Sequence, residues 1–162
     1  MVPVMRSPGL FVSTALVLLC PLLAGCGGSK RLSASEYRAR LAALGKEADK
    51  AQAAVEKGLT AKSVAELQTR LKAFATAEDR LGDKVSHFKP PRDAETANAE
   101  LALGEHDTAA AVRSAVPKLA KFTNPKAAIG FLNKSLSGNA KGGREVDHAL
   151  AQLKKLGYAK GS

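Results

Sequence analysis

The 162-residue sequence predicts an all-α fold, an antiparallel helical hairpin extended into a four- to five-helix bundle. Three observations carry this. Apolar residues recur at alternating spacings of three and four over most of the chain, the period of a helix buried along one face. Ser-x-x-Glu and Asn-Pro stand where helices start, and Gly or Pro-Pro where they end. No segment alternates with period two over β-branched residues, so no strand is expected.

Ser33-Ala34-Ser35-Glu36 has capping-box spacing: hydroxyl and carboxylate each satisfy an amide left free at the helix start. Leu32 and Tyr37 fall at the positions of a hydrophobic staple around that cap. Behind it Tyr37, Leu41, Leu44, Ala48, Ala51 and Val55 form one stripe of a long helix that Gly58 ends. Ser63-Val64-Ala65-Glu66 is a second capping box. It opens a helix whose heptad frame runs through Val64, Leu67, Leu71, Phe74, Leu81, Val85 and Phe88, interrupted only by Glu78. A short break between two apolar seams predicts a hairpin, with Leu71 and Phe74 buried against Leu44, Ala48 or Ala51.

Pro90-Pro91 stops the second helix, because proline cannot donate and the residue before it avoids αR. Asp93 is expected to cap a third helix through Ala97, Leu101, Ala111 and Val112, weak from Gly104 to Thr108 and kinked or restarted at Pro117. Asn124-Pro125 starts a short fourth helix carrying Ile129, Phe131, Leu132 and Leu136. Gly142-Gly143 reads as a loop before a last helix with Val146, Leu150, Leu153 and Leu156, ending at Gly157.

The first residues are of another kind. Arg6 and the amino terminus make a short positive region, followed by an apolar run from Leu10 to Leu23. That run is too short to span the ~30 Å of a bilayer interior as a helix. It closes on Leu23-Ala24-Gly25-Cys26, which resembles the lipobox of bacterial lipoproteins. The resemblance implies removal of a signal peptide over 1–25 and acylation, with palmitate among the groups, at Cys26. It places the protein at the extracytoplasmic face of the cell membrane, held there by its acyl chains. Gly27-Gly28-Ser29-Lys30-Arg31 reads as part of a flexible spacer, 26–32. A single helical domain, 33–158, and a tail, 159–162, complete the division.

Leu32-Ser33-Ala34-Ser35-Glu36-Tyr37 and Phe88-Lys89-Pro90-Pro91-Arg92-Asp93-Ala94 also resemble segments of uncharacterised small helical lipoproteins from high-GC Gram-positive bacteria. This second resemblance implies a shared scaffold and carries over no active residue.

Cleavage at Cys26 leaves 137 residues without Cys20, Met1 or Met5, so no disulfide is possible and the core alone must hold the fold. The remainder has 24 basic and 15 acidic side chains, a formal +9. From Pro117 to Ser162 there are 9 Lys/Arg against only Glu145 and Asp147. Such a segment attracts anionic envelope surfaces, or it is a solvated face. Lys118, Lys121, Lys126, Lys134, Lys141, Lys154 and Lys155 are expected at the surface. Nucleic acid is a poor partner for an exported chain whose basic positions lack interleaved aromatics.

Catalytic and metal-binding patterns are sparse. Glu145-Val146-Asp147-His148 puts a carboxylate and an imidazole on one helix face, but di-iron bundles need two such motifs and further carboxylates. His87 and His106 have no partner at ligand spacing and read as surface or boundary residues. There is no Gly-x-Ser-x-Gly elbow and no P-loop spacing. No catalytic, cofactor or metal residues are assigned. The expected function is a non-enzymatic binding or scaffolding module at the envelope. The alternatives are a carrier holding a lipid or other apolar ligand inside the bundle, and an enzyme of unknown type.

Overall fold

The computed structural model describes residues 30–58, 60–138 and 141–159. It is an all-α bundle, as the sequence predicts: α1 (Ala34–Gly58), α2 (Val64–Ser86), α3 (Glu95–Ala115), α4 (Pro125–Gly138) and α5 (Lys141–Lys155). Two 3₁₀ segments, Arg92–Ala94 and Val116–Lys121, flank α3, and no strand occurs among the described residues.

Helix ends follow the local chemistry. Ser33 N–H donates to Glu36 Oε2 at 2.8 Å while Glu36 N–H donates to Ser33 Oγ at 3.3 Å, a complete capping box. The second box is half formed. Glu66 N–H donates to Ser63 Oγ, but the Glu66 carboxylate reaches the Lys62 amide instead. Asn124 Oδ1 accepts from Lys126 N–H at 2.8 Å and caps α4. Gly157, at φ +76, closes α5 with Tyr158 N–H bonded to the Leu153 carbonyl and Gly157 N–H to that of Lys154. That is a Schellman turn, which favours glycine because its middle residue is left-handed.

The centre of the bundle is the antiparallel pair α2 and α3; α1 packs on α2 and α5 on α3. The core has two apolar clusters along its length. One gathers Tyr37, Leu44, Leu81, Val85, Leu101 and Leu153 at the end where α1 starts. The other gathers Leu67, Leu71, Val112, Val116, Leu119 and Leu132 at the end closed by α4. Between them α2 buries Glu78 and α3 buries Glu105.

Several expectations need correction. Helix α2 ends at Ser86, short of Phe88, whose N–H turns to the Val85 carbonyl ahead of Pro90. Leu71 lies in the second cluster with α3 and α4 residues, and Phe74 packs against that cluster, whereas Leu44 and Ala48 belong to the first. The α2 seam thus serves α3 as well as α1, which the spacing on α2 does not reveal. Helix α3 runs unbroken through Gly104–Thr108, and Gly142-Gly143 lies in the first turn of α5, not in a loop. The reason is close helix packing. A Cβ on Gly142 would lie 2.6 Å from the Thr108 amide nitrogen, and one on Gly104 2.8 Å from that of Val146. Asp93 does not cap α3; it sits in the preceding 3₁₀ segment and accepts from the Tyr158 hydroxyl at 3.0 Å. On α5 the buried stripe is Gly142, Val146, Ala149 and Leu153, leaving Leu150 and Leu156 exposed.

Candidate functional site

Cys26 and the signal peptide, 1–25, lie outside the described residues. The chain enters the described structure beside the first cluster, and it is tied down at once. Leu32 N–H donates to the Lys89 carbonyl at 2.7 Å, the Arg31 guanidinium donates to the Pro90 carbonyl at 3.1 Å, and Arg31 pairs with Glu95. Tyr37 is the hub of this end. Its ring meets Tyr158 edge-on at 5.2 Å and Phe88 at 6.3 Å, and its hydroxyl donates to Asn98 Oδ1. Burial, with the neighbouring Tyr158 second, pushes the Tyr37 hydroxyl far above its ordinary pKa, so it stays a donor. Asn98 donates onward to the Val85 carbonyl at 3.0 Å.

Two open clefts lie near this end, each of about 480 Å³. One runs between α1 and α2, with Arg40, Glu47, Asp83, Lys84 and Phe88 among its walls. The Glu47–Lys84 ion pair crosses it, and the Arg40 guanidinium stacks 5.5 Å above the Phe88 ring. The other is bordered by Arg31, Phe88, Lys89, Pro90, Glu95 and Asn98.

The Glu145-x-x-His148 spacing brings no site together. His148 Nδ1 lies 2.6 Å from Glu100 on α3, whereas Glu145 turns to Lys141 on its own helix. His87 is exposed, its Nδ1 2.6 Å from the Asp83 carbonyl at the end of α2. His106 is half-buried, with Nδ1 3.3 Å from Asp79 and Nε2 3.6 Å from Asp83, and Asp79 also pairs with Arg113. The imidazole rests on Gly82, where a Cβ would come within 2.8 Å of Nε2. Sequence reading missed this cluster. Its one signal is Asp79 and Asp83 four apart on α2 with a glycine between them, which becomes informative only once α3 is docked. Among the described residues, no group of three or more His, Cys, Asp or Glu side chains is placed to hold a metal ion. No helix among them is long and apolar enough to cross a membrane.

All seven lysines expected at the surface are exposed, but they do not form one patch. Lys154 and Lys155 end α5 beside the Tyr37 cluster. Lys141 lies halfway along the bundle, 2.8 Å from Asp107, a contact that lowers the aspartate pKa and raises that of the lysine. Lys118, Lys121, Lys126 and Lys134 sit on the 3₁₀ segment and α4, at the opposite end.

Comparison with protein-family models, characterised proteins and solved structures finds no match for this chain.

Proposed function

We propose that the chain is exported and cleaved before Cys26. Acylated there, it is held on the extracytoplasmic face of the cell membrane. Its helical bundle then acts by binding or scaffolding at the envelope, without catalysis. The observation that carries this is Leu23-Ala24-Gly25-Cys26 standing directly behind a positive amino-terminal region and an apolar run of signal-peptide length. Acyl chains on Cys26 supply the membrane attachment, since two or more anchor stably where one binds only marginally. The tethering of Leu32 and Arg31 to the first cluster supports the same reading, because the bundle is then fastened close to the bilayer.

His106 meets Asp79, His148 meets Glu100 and Asp107 meets Lys141, each across a helix pair, contacts that lock helices together. These titratable groups serve the packing of the bundle itself. Neither cleft is enclosed, whereas an interior carrier for an apolar ligand needs a sheltered chamber.

The test is Cys26→Ser in cells fed an alkyne-tagged fatty acid. The wild-type chain is expected to take up the label, run at the size of the cleaved form and sediment with membranes. The variant is expected to carry no label and to accumulate as precursor or released protein. A variant that is still processed and membrane-bound like the wild type overturns the proposal.

A further inference from the structure

From Thr108 to Arg144 the chain has no Asp or Glu, but it has seven Lys or Arg. Two of these are neutralised from other parts of the bundle, Arg113 by Asp79 and Lys141 by Asp107. Lys118, Lys121, Lys126 and Lys134 have no carboxylate within ion-pair distance among the described residues, and all four are exposed. Their arrangement is specific. Lys118 and Lys121 are three apart in the 3₁₀ segment Val116–Lys121, where side chains at that spacing eclipse one another. Lys121 Nζ lies 5.3 Å from the Phe122 ring centroid and 4.6 Å from that of Phe131, on α4. Lys134 is three residues beyond Phe131, its neighbour on the helix surface. A row thus runs Lys118, Lys121, Phe131, Lys134 across two elements, with Phe122 packed 5.4 Å from Phe131 beneath it. Like charges at such spacing repel, and no carboxylate of the fold relieves them.

The row lies at the end of the bundle opposite the one where the chain enters. Tyr37, Asn98 and Tyr158 mark the end where the chain enters, and Val116 marks the other. Along α3, Asn98 to Ala115, the residue before Val116, is roughly 26 Å at 1.5 Å per residue. Five residue steps join Cys26 to the tethered Arg31, a reach of at most about 18 Å. With the bundle standing on its anchored end, a patch that far away is beyond the ~8 Å screening length over which it would feel the headgroups holding its own lipid. Lysines act as point charges and lack the planar fork by which arginine reads one fixed carboxylate. A row of them suits a flexible chain of repeated charges.

We propose that the Lys118–Lys121–Lys134 row on its Phe122–Phe131 platform is the outward binding surface of this module, and that its ligand is a phosphate-bearing polyanionic polymer of the envelope. The choice of polymer over bilayer rests on the anchored reading above; the existence of the surface does not.

The test uses the full acylated chain in phosphatidylcholine liposomes, with fluorescent poly(glycerol phosphate) as the probe. Wild type is expected to bind with strong salt dependence. The triple variant Lys118→Gln, Lys121→Gln, Lys134→Gln is expected to bind at least ~10-fold more weakly, with the slope of log affinity against log salt reduced by about 2. Arginine at the same three positions is expected to restore binding. A control triple at the other end, Lys89→Gln, Lys154→Gln, Lys155→Gln, is expected to stay within about twofold of wild type. Equal loss in both triples, no binding by wild type, or tighter binding to poly-glutamate or to phosphatidylglycerol vesicles added in trans each overturns the proposal. Flotation of the same liposomes reads the anchor separately. If the chain fails to float yet still binds through the row, the anchored reading has failed and the surface stands.

Discussion

The Tyr37 hydroxyl donates to Asn98 Oδ1 at 3.0 Å inside the protein, with Tyr37 wholly buried and Asn98 5% exposed. Because Asn98 also donates to the Val85 carbonyl, one buried chain of hydrogen bonds joins α1, α3 and the end of α2. Apolar packing alone could slide; a polar chain fixes register, since each unmet partner is penalised in a dry interior. Tyr37→Phe keeps the ring contacts and strands the Asn98 oxygen, which is expected to cost about 1–3 kcal/mol in denaturant unfolding. A loss under ~0.5 kcal/mol means water reaches Asn98 and the lock is not real.

The same tyrosine gives a pH signature. Burial raises its pKa in the folded state above the ordinary 10.0, so the folded protein favours the neutral phenol. Its contribution is complete below pH ~10 and declines as pH rises past the unfolded value toward the folded one. Unfolding midpoints from pH 8 to 11 should therefore fall more steeply for wild type than for Tyr37→Phe. The variant retains the part due to Tyr158, which is also raised, by burial first and then by its bond to Asp93. Parallel curves for the two proteins contradict this.

Glycines in α5 offer a matched pair one residue apart. A Cβ on Gly142 would meet the Thr108 amide nitrogen at 2.6 Å and the Gly104 carbonyl at 2.7 Å, and neither backbone atom can step aside without moving a helix. Gly142→Ala is expected to destabilise by about 1–3 kcal/mol, as overpacking does. On Gly143 a Cβ meets nothing within 4 Å, so Gly143→Ala should gain part of the ~1 kcal/mol by which alanine is favoured in a helix. Thermal unfolding of the two variants reads the difference directly. The same sign for both would mean that α3 and α5 are not in close contact.

The glycine pair shows where sequence reading stops. Caps were legible because their chemistry is local: Ser33 with Glu36, Asn124 before Pro125 and Gly157 each act within one turn. Gly142-Gly143 carries the same composition as a loop, and only the approach of Gly104 from another helix reveals its use. The partner of Leu71 was hidden for a related reason, since α1 and α3 both present apolar faces and periodicity does not choose between them. Leu150 and Leu156 fit the α5 stripe by spacing, yet Ala149 faces inward, because small residues suit a close helix pair. The lysine row depends on Phe131 meeting Lys121 across two elements, a contact with no fixed spacing in the chain.

Glu78 is the interruption that the α2 heptad announces, and its environment makes the last prediction. It lies between the buried Ala75 and Leu81 with 2% of its surface exposed, and its Oε2 is shut from water with no hydrogen-bond partner among the described residues. A buried side-chain oxygen without a partner is penalised in a dry interior. Leucine is larger than glutamate by roughly one methylene and would join the apolar residues on either side. Replacing a buried polar group by an apolar one that packs in its place is often nearly neutral or stabilising. Glu78→Leu is therefore expected to raise stability by about 1–2 kcal/mol, and Glu78→Ala to lower it by leaving a cavity. Urea unfolding of both variants, with α-helix content checked by circular dichroism, decides the matter. If Glu78→Leu loses more than ~1 kcal/mol, the carboxylate makes a polar contact that the bundle needs.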